Sequence, residues 1–276
     1  MFGGSTLFCD EVPDKYTVSS YLQLFVNKIS DKYNVINHGI LSDMTHTQVI
    51  RLKETPLKEG DIVIFYGGSN DVAFILERDN RSGIQEDWAK GHLAKNNIQY
   101  YSPIERAIIK AYYAFPKSYI FKILHKNITI EKLDDSGIHK ESISSNIEYL
   151  PKYYLNQIRT AKNFIDEKNA YFFNFVQPNM YTKNIKNLTT IEKEIKKNEE
   201  LTKHSFEKYF SLGYPIIQNL IKKNEINEYS YDSTNIFDNT TQEIFAGDFV
   251  HTNHIGNEII AKSIFNIIKE RINKNL

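Results

Sequence analysis

Two almost continuous apolar runs, residues 62–66 and residues 170–176, stand out from the pattern of hydrophobic and polar positions along the chain. Both are rich in β-branched and aromatic side chains, which is typical of strands buried on both faces at the centre of a parallel sheet. Gly67 and Gly68 end the first run and Pro178 follows the second, and these residue types stop strands. We therefore predict two central strands.

Apolar residues at helical spacing predict amphipathic helices between and after these strands. The predicted helices cover residues 16–33, 47–54, 151–168 and 255–272, and residues 184–223 in two pieces. We place Pro151 in the first turn of the helix at residues 151–168. The segment at residues 184–223 is predicted to break around residues 213–215, and its Lys/Glu runs to form a solvated face. Shorter strands are predicted at residues 33–37 and 234–237. The alternation predicts right-handed βαβ units and a parallel sheet.

Residues 72–140 are the most aromatic and least regular part of the chain, with a predicted helix at residues 104–114. We interpret them as a helical insertion beside or over the mouth of the sheet, within a single domain that spans residues 1–276. Ordinary packing in a helical core accounts equally well for any single aromatic residue there.

The composition excludes several classes of function. Lys and Arg together number 34, as do Asp and Glu, whereas a nucleic-acid-binding protein would show a basic surplus. Cys9 is the only cysteine, which excludes an intrachain disulfide and a cysteine-rich zinc site. No apolar run is long enough to span a membrane, and no signal peptide is visible. As written, the chain is expected to be soluble and cytoplasmic, unless an upstream signal or anchor precedes it.

Three separated segments carry residues that could form one catalytic site. Asp248 and His251 lie three residues apart in a predicted loop, where a carboxylate can reach the Nδ1 side of an imidazole and orient it as a base for a serine. Ser5 follows two glycines, as a nucleophile at a strand-to-helix turn would. Asn70 lies just past the strand at residues 62–66, where its amide could stabilise an oxyanion.

Each of these residues also has a simpler explanation. Ser5 could be a frayed terminal residue, and residues 67–71 could be an ordinary turn with an asparagine cap. His251 could cap the C-terminal helix, or join Asp248 and His254 in a metal site, although no convincing third imidazole or thiolate is near. We predict no metal and no organic cofactor.

Four short blocks stand in order along the chain, each at a predicted strand end. They are Gly3-Gly4-Ser5-Thr6, the segment from Asn37-His38-Gly39 to Thr45, Gly68-Ser69-Asn70-Asp71 and Asp248-Phe249-Val250-His251. Together they resemble the SGNH, or GDSL-type, ester hydrolase family, in a variant with Gly-Gly-Ser in place of Gly-Asp-Ser. The resemblance implies a three-layer α/β/α, flavodoxin-like fold and the hydrolysis or transfer of acyl esters.

The resemblance also implies a role for each candidate residue. Ser5 would be the nucleophile, His251 the general base and Asp248 the residue that orients this base. The oxyanion hole would comprise the backbone N–H groups of Ser5 and Ser42 and the side chain of Asn70. Ser42 stands where the family normally has a glycine, and a backbone donor does not require one.

The expected function is that of a serine esterase that removes an acyl group, in the first place acetyl, from a carbohydrate. Residues 175–178 and the aromatic insertion are most similar to a bacterial subgroup associated with surface polysaccharides. One alternative is an O-acetyltransferase that uses the same residues, and another is a non-catalytic carbohydrate-binding or scaffold protein on the same fold. The short segment before Ser5 favours the last, because family members have a full strand there.

Overall fold

The computed structural model describes residues 1–76, 143–182, 186–200, 206–223 and 226–273. The described residues that build the sheet belong to one compact unit, formed by residues 1–76 and the chain from residue 147 onward. The predicted insertion at 72–140, with its helix at 104–114, lies outside the described residues except for its first five, which belong to a helix.

Five parallel strands form the sheet in the order β2-β1-β3-β4-β5, as in flavodoxin-like folds. The strands are β1 (Phe2–Gly3), β2 (His38–Gly39), β3 (Ile62–Gly67), β4 (Tyr171–Val176) and β5 (Ser230–Asp232). β3 and β4 pair in parallel along six residues each, and β1 pairs with both β2 and β3. The two central strands and the parallel sheet are confirmed.

Helices flank the sheet and give the predicted three-layer α/β/α architecture. They are α1 (Ser5–Phe8), α2 (Val18–Val26), α3 (Thr45–Glu54), α4 (Ser69–Leu76), α5 (Ile143–Asp166), α6 (Thr190–Glu200), α7 (Glu207–Lys222) and α8 (His254–Asn273). α2 packs on α8, and α4 packs on α7. Within the described parts of the chain, the helices are too short or too polar to cross a membrane.

The core lies around β3 and β4. Four consecutive residues of β3, Val63 to Tyr66, are buried, and Phe172 to Val176 of β4 are buried as well. Successive side chains of a strand point to opposite faces, so these strands are covered on both sides. The one polar side chain in the β4 run, Asn174, is satisfied by hydrogen bonds to Tyr154 and Ser230.

Both predicted short strands were placed wrongly. The segment at residues 33–37 is not a strand, because the side-chain amide of Gln23 bonds the carbonyl of Tyr33 and the N–H of Val35. The last strand is β5, and residues 234–237 form turns with hydrogen bonds over three residues. A side chain occupies the backbone groups of the first segment and backbone turns form in the second, and periodicity reveals neither kind of bond.

Helix boundaries differ from the predictions in three places. α2 ends at Val26 rather than near residue 33, and α5 begins at Ile143, which puts Pro151 inside the helix. Gly213 and Pro215 lie inside α7 and do not break it. A Cβ at position 213 would lie 2.6 Å from a methyl of Val72, so the glycine allows α7 to pack closely on α4. The predicted helices at 47–54 and 255–272 are confirmed.

Candidate active site

The carboxyl ends of the strands bring the candidate residues to one edge of the sheet. Ser5 follows β1, Ser42 follows β2 and Asn70 follows β3. The carboxyl ends of parallel strands lie at the same edge, where open α/β sheets bind ligands. Asp248 and His251 reach this edge from the loop before α8.

Ser5, His251 and Asp248 form a continuous hydrogen-bonded series. The Oγ of Ser5 lies 2.8 Å from Nε2 of His251, across 246 positions of sequence. The Nδ1 of the same ring lies 2.5 Å from Oδ2 of Asp248. The side chains are 16% exposed for His251 and 36% for Asp248, so the series is sheltered but can be reached from solvent.

The loop before α8 turns the carboxylate of Asp248 back onto the imidazole. Its Oδ1 accepts hydrogen bonds from the N–H groups of Val250, at 2.9 Å, and His251, at 2.8 Å. Gly247 precedes it with φ +85°, a left-handed conformation that glycine adopts without strain. The second carboxylate oxygen is left to bond Nδ1.

Asn253, rather than a histidine, caps α8. Its side-chain oxygen accepts hydrogen bonds from the N–H groups of Ile255 and Gly256. His254 is exposed at the start of the helix, with its ring 5.7 Å from that of Tyr16. His251 is therefore not needed as a cap.

A buried ion pair anchors the base of this loop. Lys186 and Glu192 lie 2.6 Å apart, and neither side chain is accessible to solvent. One carboxylate oxygen of Glu192 accepts hydrogen bonds from the N–H groups of Ile244 and Phe245, while Lys186 donates to the carbonyl of Gln242. The expectation that the charges of this segment are solvated was wrong for these two residues.

Two glycines allow the chain to turn sharply into Ser5. A Cβ at Gly3 would lie 2.4 Å from the carbonyl oxygen of Tyr66, and a Cβ at Gly4 would lie 2.5 Å from Nδ2 of Asn70. Both distances are too short for any side chain. α1 then begins at Ser5, whose N–H belongs to the first helical turn and has no partner within the helix.

Asn70 is held directly against the turn that carries the serine. Its Nδ2 donates to the backbone carbonyl of Asp43 at 3.0 Å, and an amide nitrogen has a second hydrogen to donate. Asp71 is fully buried and accepts hydrogen bonds from the N–H and hydroxyl of Thr45, which ties the start of α4 to α3. The amide is thus fixed from two sides beside Gly4.

Ser42 lies in the turn that precedes the Asn70 contact and has φ 55°. Its N–H makes no hydrogen bond to another of the described residues. Asp43, next to it, is buried and bonds Arg51 and Thr47. Burial raises the pKa of the Asp43 carboxyl to about 6, against the opposing charge of Arg51. These bonds hold the turn in place.

The electrostatics of the series favour a protonated imidazole beside an ionised carboxylate. Burial lowers the pKa of His251, but the hydrogen bond and charge of Asp248 and the charge of Glu11 outweigh burial and raise it above 6.5. Burial raises the pKa of Asp248, but the hydrogen bonds from His251 and Val250 lower it below its usual value. An imidazolium formed here is stabilised.

Two contributors were missed by the sequence analysis. Glu11 places Oε1 3.4 Å from Nε2 of His251, and the pair Lys186–Glu192 holds the loop. Glu11 has no sequence signal, since it follows the serine in an irregular loop. Thr189 and Glu192 have the spacing of a capping box, which predicts the start of α6 but not that Glu192 pairs with Lys186 or bonds the loop. Only the fold brings them to the site.

A scan against models of known protein families finds no match for this chain, and a search of curated proteins finds none. Among the residues that the structure describes, no cluster of three or more His, Cys, Asp or Glu side chains could hold a metal ion.

Proposed function

We propose that this protein is a serine esterase of the SGNH type, which cleaves an acyl ester through an acyl-enzyme. The observation that carries the proposal is the hydrogen-bonded series from Ser5 through His251 to Asp248, with distances of 2.8 and 2.5 Å. A nucleophile, a base and an orienting carboxylate within hydrogen-bond reach are the arrangement that acyl transfer by serine requires.

In the acylation step, the Oγ of Ser5 attacks the ester carbonyl carbon while Nε2 of His251 takes the hydroxyl proton. The carbonyl oxygen becomes an oxyanion, which the N–H groups of Ser5 and Ser42 and the amide of Asn70 stabilise. When the carbon–oxygen bond to the alcohol breaks, Nε2 gives its proton to the leaving oxygen. The alcohol departs, and the acyl group stays on Ser5.

In the deacylation step, water takes the place of the alcohol. His251 removes a proton from the water as its oxygen attacks the acyl carbon, and then returns the proton to Oγ of Ser5. Asp248 remains ionised throughout, since its pKa is lowered, and stabilises each imidazolium. The products are a carboxylic acid and the free enzyme.

We propose an acetyl ester of a carbohydrate as the substrate, on the strength of the resemblance to the polysaccharide-associated subgroup. The non-catalytic alternative depended on the possibility that Ser5 is a frayed terminal residue. It is disfavoured because Ser5 lies in a helical turn and bonds His251.

The test is acetate release from acetylated oligosaccharides and from 4-nitrophenyl acetate. Wild type and Ser211→Ala, which alters an exposed serine on α7, should both release acetate, and Ser5→Ala should not. Equal rates for Ser5→Ala and wild type would overturn the proposal.

A further inference from the structure

Two groups, not one, face the catalytic nitrogen of the histidine. Besides the Oγ of Ser5 at 2.8 Å, the carboxylate of Glu11 places Oε1 3.4 Å from Nε2 of His251. Glu11 lies in the loop between α1 and the short 3-10 helix at Asp14–Tyr16, and its side chain is 28% exposed. Among the described residues, His251 is its only partner at ion-pair distance. This carboxylate has no role in the acyl-transfer steps above.

The position of Glu11 puts it beside the departing alcohol. Nε2 of His251 gives its proton to the leaving oxygen, so this oxygen must come within hydrogen-bond distance of Nε2. An oxygen about 3 Å from Nε2 lies no more than about 6.5 Å from Oε1 of Glu11. Groups attached to the alcohol next to the ester oxygen come within reach of the carboxylate itself.

The negative charges around this point are carboxylates. Asp248 and Asp10 act on Glu11, and Asp248 and Glu11 act on His251, whose imidazole is the one group here that becomes positive when protonated. A second anion brought into this partly sheltered space would be repelled, since solvent screens charges there less than on an open surface. A hydroxyl would instead donate a charge-assisted hydrogen bond to the carboxylate.

We propose that Glu11 is a specificity-determining residue that selects esters by their alcohol. It favours an uncharged alcohol with a hydroxyl next to the ester oxygen, as in a monoester of a polyhydroxy compound, and rejects an alcohol that carries a negative charge there. This inference rests on the proposed esterase function, and it assigns to Glu11 the recognition of the leaving alcohol in the same site.

The first test compares two acetyl esters that differ in a charge close to the ester oxygen, 2-acetoxyethanesulfonate and its neutral N,N-dimethylsulfonamide. It is run at pH 8 rather than at a lower pH, because burial raises the pKa of Glu11. The ratio of kcat/KM, sulfonate over sulfonamide, should rise about tenfold in Glu11→Gln. It should not change in Glu258→Gln, which removes a charge from an exposed position on α8. A folding defect would lower both rates together and leave the ratio unchanged.

The second test compares 2-hydroxyethyl acetate with 2-methoxyethyl acetate, which lacks the hydroxyl donor. Wild type should favour the hydroxyl compound about tenfold, and Glu11→Ala should lose this preference. Two results would overturn the inference and leave the esterase function standing. One is a sulfonate-over-sulfonamide ratio in Glu11→Gln that stays within twofold of the wild-type ratio, and the other is a hydroxyl preference that survives in Glu11→Ala. Absence of any turnover that depends on Ser5 would instead overturn both the inference and the esterase function.

Discussion

Burial lowers the pKa of the His251 imidazole, and Asp248 is the side chain that does most to raise it, ahead of Glu11. The three-residue spacing of Asp248 from His251 is local, and the sequence alone was enough to predict that a turn could join the two. The structure adds that one carboxylate oxygen is occupied by the N–H groups of Val250 and His251, which leaves the other to bond the ring. Asp248 therefore both supplies the negative charge beside the imidazole of His251 and fixes the orientation of this ring.

Asp248→Asn should shift the pH profile as well as lower the rate. Activity requires neutral His251 and is lost as pH falls through the pKa of its imidazole, which Asp248 raises. Without this charge the pKa falls, so the acidic limb of kcat/KM should move to lower pH, while the plateau drops about 100-fold or more. A profile of kcat/KM between pH 4 and 9, run beside wild type, measures both effects, since about five pH units cover the acidic limb and the plateau. An acidic limb that stays in place would contradict this account of the site.

The oxyanion donors should respond differently to substitution. Ser42→Gly keeps the backbone N–H and removes the strain of a left-handed serine, so kcat should remain within about threefold of wild type. Asn70→Ala removes a side-chain donor and should lower kcat about 100-fold to 1,000-fold. The comparison uses steady-state hydrolysis of one acetyl ester. A severe loss in Ser42→Gly, or none in Asn70→Ala, would refute these assignments.

Among elements, β1 shows how little strand is needed to position Ser5, the proposed nucleophile. It has two residues, yet pairs with β2 and β3, and Phe2 stacks on the ring of His38 with centroids 4.7 Å apart. The sequence shows that only a short segment precedes Ser5, but does not predict that these contacts would fix the following turn. Continuous apolar runs made β3 and β4 predictable. Side-chain bonds to the backbone, such as those of Gln23, displaced the predicted edge strand.

Gly4→Ala should disable the site without unfolding the protein. The new Cβ would lie 2.5 Å from Nδ2 of Asn70 and push the amide off the carbonyl of Asp43. We expect kcat to fall about 100-fold, as when an oxyanion donor is removed. Gly60→Ala is the matched control: φ is +81° and no atom lies within 4 Å of the new Cβ. It should cost about 1 kcal/mol of stability and leave kcat unchanged. Equal kcat in the two variants would count against the turn's role.

Glu192→Gln tests whether the Lys186–Glu192 pair anchors the loop before α8. The variant leaves Lys186 as an unpaired buried charge, and we expect the free energy of unfolding to fall by about 3 kcal/mol. Chemical denaturation measures this loss. Glu194→Gln, on the same helix but outside the pair, should change stability by less than about 0.5 kcal/mol. An unchanged denaturation midpoint in Glu192→Gln would mean that the buried pair does not hold the loop.

At the scale of the whole molecule, the site forms where the turn after β1 meets the loop before α8. The start of α8 is tied to the N-terminal region, since Nδ2 of Asn257 donates to the carbonyl of Tyr16 and α8 packs on α2. The five-strand order places the turns after β1, β2 and β3, which carry residues 5, 42 and 70, side by side. The loop before α8 brings residue 251 to the same edge.

How much of this convergence could be predicted depends on the residue. Parallel strands with their carboxyl ends at one edge predict that Ser5 and Asn70 are neighbours. The pairing of Ser5 with His251, 246 positions away, was predicted from the chemistry of the two residues and from the resemblance to a family, and not from periodicity. The roles of Glu11 and Glu192 could not be predicted, because tertiary packing brings Glu11 to His251 and brings Glu192 to Lys186 and the loop.

Labelling with a fluorophosphonate probe, read by intact mass and mapped to the modified peptide, tests the central claim most directly. The account predicts one adduct per chain on Ser5 in wild type, no adduct in Ser5→Ala, and full labelling of Ser211→Ala. Such a result would establish an activated Ser5. Failure of correctly folded wild type to label, or labelling that persists in Ser5→Ala, would contradict the claim that this series of three residues is a catalytic one.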